Sequence, residues 1–450
     1  MIDKYKSIFK ELVLSYDQNN FHEKLEQLKS TTDLNEEDFT KLISSLCGVE
    51  ISPSPNYKED LKDAISNYSN KTKIVSKIHS CATDCIPSPN TELSNCQSSC
   101  PFDAILYDKK TKNTYINKDA CTDCGFCVDA CKHGNILDKI EFMPLLELIH
   151  QNKTVIAAVA PAISGQFGDT VTMDQMRTSF KKLGFTDMVE VAFFADMLTL
   201  KEAFEFNHHI KTEEDLIITS CCCPMWVGML KRIYGDLVKH VTPSVSPMIA
   251  AGRVMKYLNP DCKVVFIGPC VAKKAEAREK DLIGDIDFVL TFQELKEIFD
   301  VLNITPSKLP EDRSIDYASK GGRLYARTGG VSIAVKDAIE RLFPEKSILL
   351  KAVQGNGVKE CKDLLSKAQL KELNANFIEG MGCIGGCVGG PKKIITTEEG
   401  KEKVDNFANA SSIKVAIDSP CMMDFLNKLG INSIKDFASH EKLIIFNRNF

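Results

Sequence analysis

The spacing of cysteines between residues 81 and 131 constrains this chain more than any other feature. Cys121, Cys124, Cys127 and Cys131 form C-x2-C-x2-C-x3-C. Thiolates so spaced wrap three corners of a [4Fe–4S] cube, while the fourth cysteine reaches a second cluster. A looser half precedes it, Cys81-x3-Cys85-x10-Cys96-x3-Cys100, followed by Pro101. With fourth ligands exchanged between the halves, Cys81, Cys85, Cys96 and Cys131 hold one cube. Cys100, Cys121, Cys124 and Cys127 hold the other. The first half also suits a tetrahedral zinc ion, and that alternative stays open.

The chain has 18 cysteines against 8 histidines. Its N-terminal stretch MIDKYKSIFKELVLSYDQNN alternates charge with apolar residues and lacks a signal-peptide core. No apolar run approaches the roughly 18–20 residues that span a bilayer. A cytoplasmic protein with reduced thiols is expected, so dense cysteines read as metal ligands rather than disulfides. A net charge of −5 over 450 residues offers no nucleic-acid face, and neither nucleic acid nor membrane is expected as a partner.

Three divisions are expected. Residues 1–75 read as helical, with Phe39, Leu42, Ile43, Leu46 and Cys47 on one apolar stripe behind an Asn35 cap. Cys47 is then a core thiol, and residues 51–56 form a turn. Residues 76–140 hold too few apolar residues for a core and depend on their metals to fold. From 141 to 450, apolar strands alternate with amphipathic helices, at Thr154–Val159, Leu216–Thr219, Lys263–Gly268 and Ile413–Ile417. That alternation predicts an α/β fold with mostly parallel, buried strands.

Three further motifs sit at strand ends or in glycine-rich loops. They are Thr219-Ser-Cys221-Cys222-Cys223-Pro224-Met-Trp226, Gly268-Pro269-Cys270-Val-Ala-Lys273-Lys274-Ala-Glu276, and Glu379-Gly-Met381-Gly-Cys383-Ile-Gly-Gly-Cys387-Val-Gly-Gly-Pro391. Four thiolates from three loops suffice for one more [4Fe–4S] cluster. A lysine beside one cysteine hints at an anionic ligand there.

From about Cys81 to Pro391 these segments resemble the [FeFe]-hydrogenases, and the three consecutive cysteines resemble the branch called group B. The resemblance implies a two-lobed catalytic domain, with β-sheets flanked by helices around a buried metal cluster. A small ferredoxin-like α+β module precedes it. It further implies an H-cluster: a [4Fe–4S] cube bridged to a diiron centre that carries CO, cyanide and a dithiolate bridge with a central amine. By the same likeness Cys223, Cys270, Cys383 and Cys387 hold this cluster, with Cys387 as the bridge. Cys222 becomes the proton-relay thiol, and His209, Glu205, Thr242 and Glu202 the path that leads to it. Lys273 matches a donor to cyanide. Ala160, Pro161, Ser246, Pro247, Gly268, Pro269, Glu276 and Met381 match positions that line or brace the pocket. Gly268 replaces a methionine of the family, which opens space beside the diiron unit. Cys262, Cys361 and Cys421 match no ligand position and read as local packing.

The activity implied is the reversible interconversion of H2 with protons and electrons, the electrons passing through the two N-terminal [4Fe–4S] clusters. Ferredoxin or another small redox protein is the implied electron partner, and maturation proteins would build the cluster. The competing readings are an H2 or redox sensor, a cluster-assembly scaffold of hydrogenase-like type, and a pure electron carrier.

Overall fold

A computed structural model describes residues 3–70, 72–81, 85, 93–151, 153–212 and 214–450. It contains two compact units. The first comprises Met1–Lys153, Val271–Arg278 and Phe288–Ile304, and the second Thr154–Cys270, Glu279–Asp287 and Thr305–Phe450. These units cut the chain differently from boundaries at 75 and 140. The N-terminal helices and the cysteine module each have a small apolar face, and they share one unit with two short returns of the chain.

In the first unit, helices span Asp3–Asp17, Phe21–Thr31, Glu36–Leu46 and Tyr57–Ser66. The Asn35 side chain accepts from the Asp38 amide at 2.9 Å and starts the third of them. Phe39, Leu42, Ile43, Leu46 and Cys47 are all buried. Strand β1 (Val75–Lys77) pairs antiparallel with Ile136–Asp138, and β2 (Ile105–Asp108) with β3 (Asn113–Ile116). The strand Ile136–Asp138 is β4. Short helices Asn95–Ser98 and Phe126–Ala130 carry Cys96 and Cys127. The module's apolar cluster consists of Ile74, Val75, Ile105, Cys127, Ile136 and Val271, with Cys96, Cys100 and Cys131 against it. Sulfur supplies much of so small a core.

The second unit contains two parallel sheets. In one, β5 (Val155–Val159) lies between β6 (Asp187–Glu190) and Lys263–Gly268. The other centres on Phe377–Met381, flanked by β7 (Ile217–Ile218) and Ala352–Asn356. In chain order Lys263–Gly268 is β8, Phe288–Thr291 (first unit) β9, Ala352–Asn356 β10 and Phe377–Met381 β11. Every residue of β5 and β11 is buried, as parallel strands covered on both faces require. The expected strand at Ile413–Ile417 does not form. The Ser411 hydroxyl accepts from the Ile413 amide at 3.2 Å, and the chain then enters a short 3-10 turn at Ala416–Asp418. A local side-chain bond has taken the donor that a ladder would need. Among the described residues no helix is long and apolar enough to cross a membrane.

A buried ion cluster secures the cysteine module within its unit. Lys274 is fully buried, and its Nζ donates to Glu294 Oε1 at 2.5 Å, Asp138 Oδ2 at 3.1 Å and the Lys139 carbonyl at 2.6 Å. Lys274→Met would leave two buried carboxylates without their cation. The expected cost is about 3–5 kcal/mol of stability, measured as a lower Tm with loss of iron from the N-terminal module.

Candidate metal centre

Backbone amides point at the thiols of the first unit. Ala104 N donates to Cys100 Sγ at 3.2 Å, Asn135 N to Cys131 Sγ at 3.2 Å, Asp123 N to Cys121 Sγ at 3.4 Å, and Thr114 N to Cys81 Sγ at 3.4 Å. For Cys121 burial and the Asp123 charge outweigh the bond from the amide and push the thiol up. Burial raises Cys81, but bonds from Thr114 and from the Lys77 ammonium, 3.2 Å away, outweigh it and hold this thiol below its ordinary value. Burial pushes Cys127 up, and Cys124, Cys121, Cys100 and Cys96 push the same way. Cys96, Cys100, Cys121 and Cys124 thus all bear on Cys127, and the charge pattern does not separate Cys96 from the other three. Asp123 and Gly125 both take left-handed φ to make this tight wrap, and a Cβ on Gly125 would meet Val271 at 2.7 Å. Cys85 and Cys96 are half-buried, and the loop between them lies largely outside the described residues.

In the second unit the motif cysteines follow carboxyl ends of parallel strands, where such folds place chemistry. Thr219–Cys223 follows β7, Pro269–Cys270 follows β8, and Gly382–Cys383 follows β11. The Gly382 amide donates to Cys223 Sγ at 3.3 Å. Burial raises the Cys223 thiol, and nearby Cys387 adds to this. A Cβ on Gly390 would lie 2.6 Å from the Pro269 carbonyl oxygen and 3.0 Å from that of Cys387, so the loops of Cys270 and Cys387 touch. The three adjacent cysteines have different surroundings. Cys221 is fully buried, its Sγ 3.0 Å from Thr219 Oγ1 and 3.9 Å from the Tyr325 hydroxyl. Cys222 is half-buried and donates to the Tyr325 carbonyl at 3.8 Å. Burial pushes Cys221 up, and Glu202 is the charge that adds most to it.

Helix Val191–His209 is buried on nearly every side and brings charge inside. Glu202 is fully buried, and Glu205 and Thr242 nearly so, while His209 is half exposed. His209 Nε2 lies 3.2 Å from Glu205 Oε2. Lys201 Nζ donates to Glu205 Oε1 at 3.0 Å and to Ser244 Oγ at 2.9 Å, and Ser244 Oγ donates to Glu202 Oε1 at 2.5 Å. Burial raises the Glu202 carboxyl, against the pull of Lys201, Ser244 and Thr242. Sequence reasoning missed Lys201, Ser244 and Tyr325. For Ser244 the signal was present: in extended backbone residues two apart share a face, and Ser244 is two beyond Thr242. A strap from far downstream holds this segment, with Val245 N donating to Phe446 O and Arg448 N to Pro243 O, each at 2.9 Å. Ser244 pairs antiparallel with Asn447.

The other expected positions fall as follows. Ala160 and Pro161 leave β5, and the Ala160 amide donates to Ile267 O at 2.9 Å. Ser246 and Pro247 open helix Pro247–Leu258. The Ser246 hydroxyl is buried without a hydrogen-bond partner in the protein, which fits a polar group bound beside it. Met381 is buried at the end of β11. In the first unit, Lys273 Nζ lies 2.7 Å from Glu276 Oε2, both buried. Cys361 is buried and donates to Met381 O at 3.4 Å, and Cys262 is buried before β8, so both are packed thiols. Cys421 is partly exposed at a helix start. The space expected beside Gly268 is taken: a Cβ there would meet the Phe266 ring at 2.5 Å. Residues 266 and 268 share one face of β8, so the ring two positions back fills the gap.

Thiols that accept from backbone amides in both units fit an iron–sulfur protein, and the family matches define one of the oxidoreductase kind. Residues 153–391 match the family described as iron only hydrogenase large subunit, C-terminal domain, and residues 91–136 match a 4Fe-4S dicluster domain. The chain belongs to this iron-only hydrogenase family. It is 30% identical over 398 residues to iron hydrogenase 1 of Clostridium pasteurianum, covering 68% of this chain and 69% of that protein. It is also 23% identical over 352 residues to a probable cytosolic Fe-S cluster assembly factor of Drosophila ananassae, covering 64% and 74%. In fold it matches an [FeFe]-hydrogenase of Chlamydomonas reinhardtii with a TM-score of 0.56 at 23% identity, over 66% of this chain and 94% of that one.

Gly268→Met should displace the Phe266 ring rather than fill a void. The expected outcome is a loss of about 1–3 kcal/mol in stability, read by denaturant unfolding. An unchanged midpoint would show that the ring moves aside without cost.

Proposed function

We propose that this chain interconverts H2 with protons and electrons, 2H+ + 2e− ⇌ H2, at an H-cluster held by Cys223, Cys270, Cys383 and Cys387. Electrons would pass through two [4Fe–4S] clusters on the eight module cysteines, exchanged with ferredoxin or a similar small redox protein. The observation that carries the reading is the buried acid pair Glu202 and Glu205 behind the cysteine loop, reaching solvent at His209. Electron transfer alone needs no such track, whereas proton reduction needs a proton for every electron.

The cluster, when bound, supplies the bond-making chemistry, and the protein supplies ligation, shape and protons. His209 takes protons at the surface and passes them to Glu205. Glu202, with Thr242 beside it, carries them inward, and Cys222 presents the last acidic hydrogen. Lys273 offers a charged donor to an anionic ligand, braced by Glu276. Ala160, Pro161, Ser246, Pro247, Gly268, Pro269 and Met381 shape the pocket. The assembly-scaffold reading is favoured by the cluster-assembly relative, and a sensor would share the metal sites. Infrared bands of metal-bound CO and cyanide separate a scaffold from the rest, and steady-state H2 turnover separates enzyme from sensor.

Made without maturation proteins, the chain should hold about twelve irons and be inactive. After maturation, Cys223→Ala should lose the CO bands. Cys222→Ala should keep them while turnover falls roughly 10²–10⁴-fold, as loss of a general acid does. The reverse pattern would move the ligand assignment by one residue.

A further inference from the structure

We infer that Lys201 and Ser244 form the joint of the proton track: the Lys201 ammonium turns the Ser244 hydroxyl towards Glu202 and keeps Glu202 ready to accept a proton. This deepens the proposed function and rests on it for the direction of proton flow. The geometry itself does not depend on any bound metal.

Lys201 is fully buried between the two acids, on the helix that carries both. An ammonium has three hydrogens and no lone pair, so its bonds to Glu205 and Ser244 both run outward. The Ser244 oxygen is therefore the acceptor from Lys201. Its single hydrogen goes to Glu202 Oε1, 2.5 Å away. The hydroxyl cannot turn back while the ammonium is in place. The other carboxyl oxygen of Glu202, Oε2, is buried and makes no hydrogen bond of ordinary length, which leaves it as the atom that takes up a proton.

Charge decides whether Glu202 can do so. Its own helix contributes Lys201, Glu205 and His209. Thr242 and Ser244 face it from the 242–246 segment, and Cys221 and the Tyr325 hydroxyl from two other elements. His440 bears on Glu205 from a further turn. Burial, with Glu205, drives Glu202 towards its neutral form, and Lys201 is the largest opposing influence. Without that cation Glu202 would hold its proton to higher pH. Lys201 is a positioning residue, acting through Ser244 and Glu202.

The test uses the protein made without maturation proteins, carrying only its [4Fe–4S] clusters. The infrared carboxyl absorption that disappears in Glu202→Gln is followed through a pH titration. Lys201→Met should displace its midpoint upward by about one pH unit or more. Ser244→Ala should displace it the same way by less, and Lys201→Arg should restore it towards the parent. In the matured enzyme the acid limb of H2 turnover should move by the same amount, with a roughly 10–100-fold loss at neutral pH and unchanged iron content. An unmoved midpoint in Lys201→Met overturns the inference, whatever the turnover. A displaced midpoint with no H2 turnover in any form sinks the functional reading and leaves the charge coupling standing. If Lys201→Met does not accumulate as folded protein, Ser244→Ala decides: an upward displacement upholds the joint, and none overturns it.

Discussion

Parallel pairing is the constraint on which the second unit depends. Sulfurs from segments far apart in sequence can gather only if their strands end on the same edge. Parallel order achieves this without reversing the chain. The bond from Ala160 N to Ile267 O carries the β5–β8 ladder one step past the end of β5, so the loop after it leaves from a fixed point. A slip of one residue would move a thiol by about 3.3 Å and turn it to the opposite face. The apolar, fully buried sequences of β5 and β11 hold the register against that slip.

Gathering charge inside the same unit has its own demands. Helix Val191–His209 places Asp196, Lys201, Glu202 and Glu205 away from water, where an unpaired ion is costly. Asp196 is raised to about 7 by burial and is met by the Ser319 amide at 2.7 Å and its hydroxyl at 2.5 Å. Each charge has a donor or a counter-ion. Glu202 Oε2 is the exception, buried without a hydrogen-bond partner in the protein, while the surrounding bonds hold the rest of the carboxyl in place.

The metal-binding pattern was legible because thiolate spacing is a local property of the chain. Cys121, Cys124 and Cys127 lie within one turn-rich run, and no tertiary knowledge is needed to group them. The strand Lys263–Gly268 was legible for a similar reason, as a continuous apolar run between polar ends. Ile413–Ile417 looked the same, but there a serine two residues earlier took the first amide. Gly268 was misread because a missing side chain says nothing about what replaces it, and Phe266 lies on the same face. Lys201 was hidden for a different reason. A lysine beside a glutamate on a helix ordinarily faces water, and only the surrounding fold shows that this one does not.

The strap formed by residues around Phe446 and Arg448 has a consequence for how the molecule comes into being. Glu202, Thr242 and Ser244 leave the ribosome long before the segment that pins them. Until it arrives, the stretch around Pro243 and Val245 lacks its pairing partner. The pairing of the 243–245 stretch is therefore a late product of synthesis, made by a contact of long sequence separation that forms slowly. A stalled or clipped chain would have all its cysteine motifs and still lack the segment that pairs with Ser244.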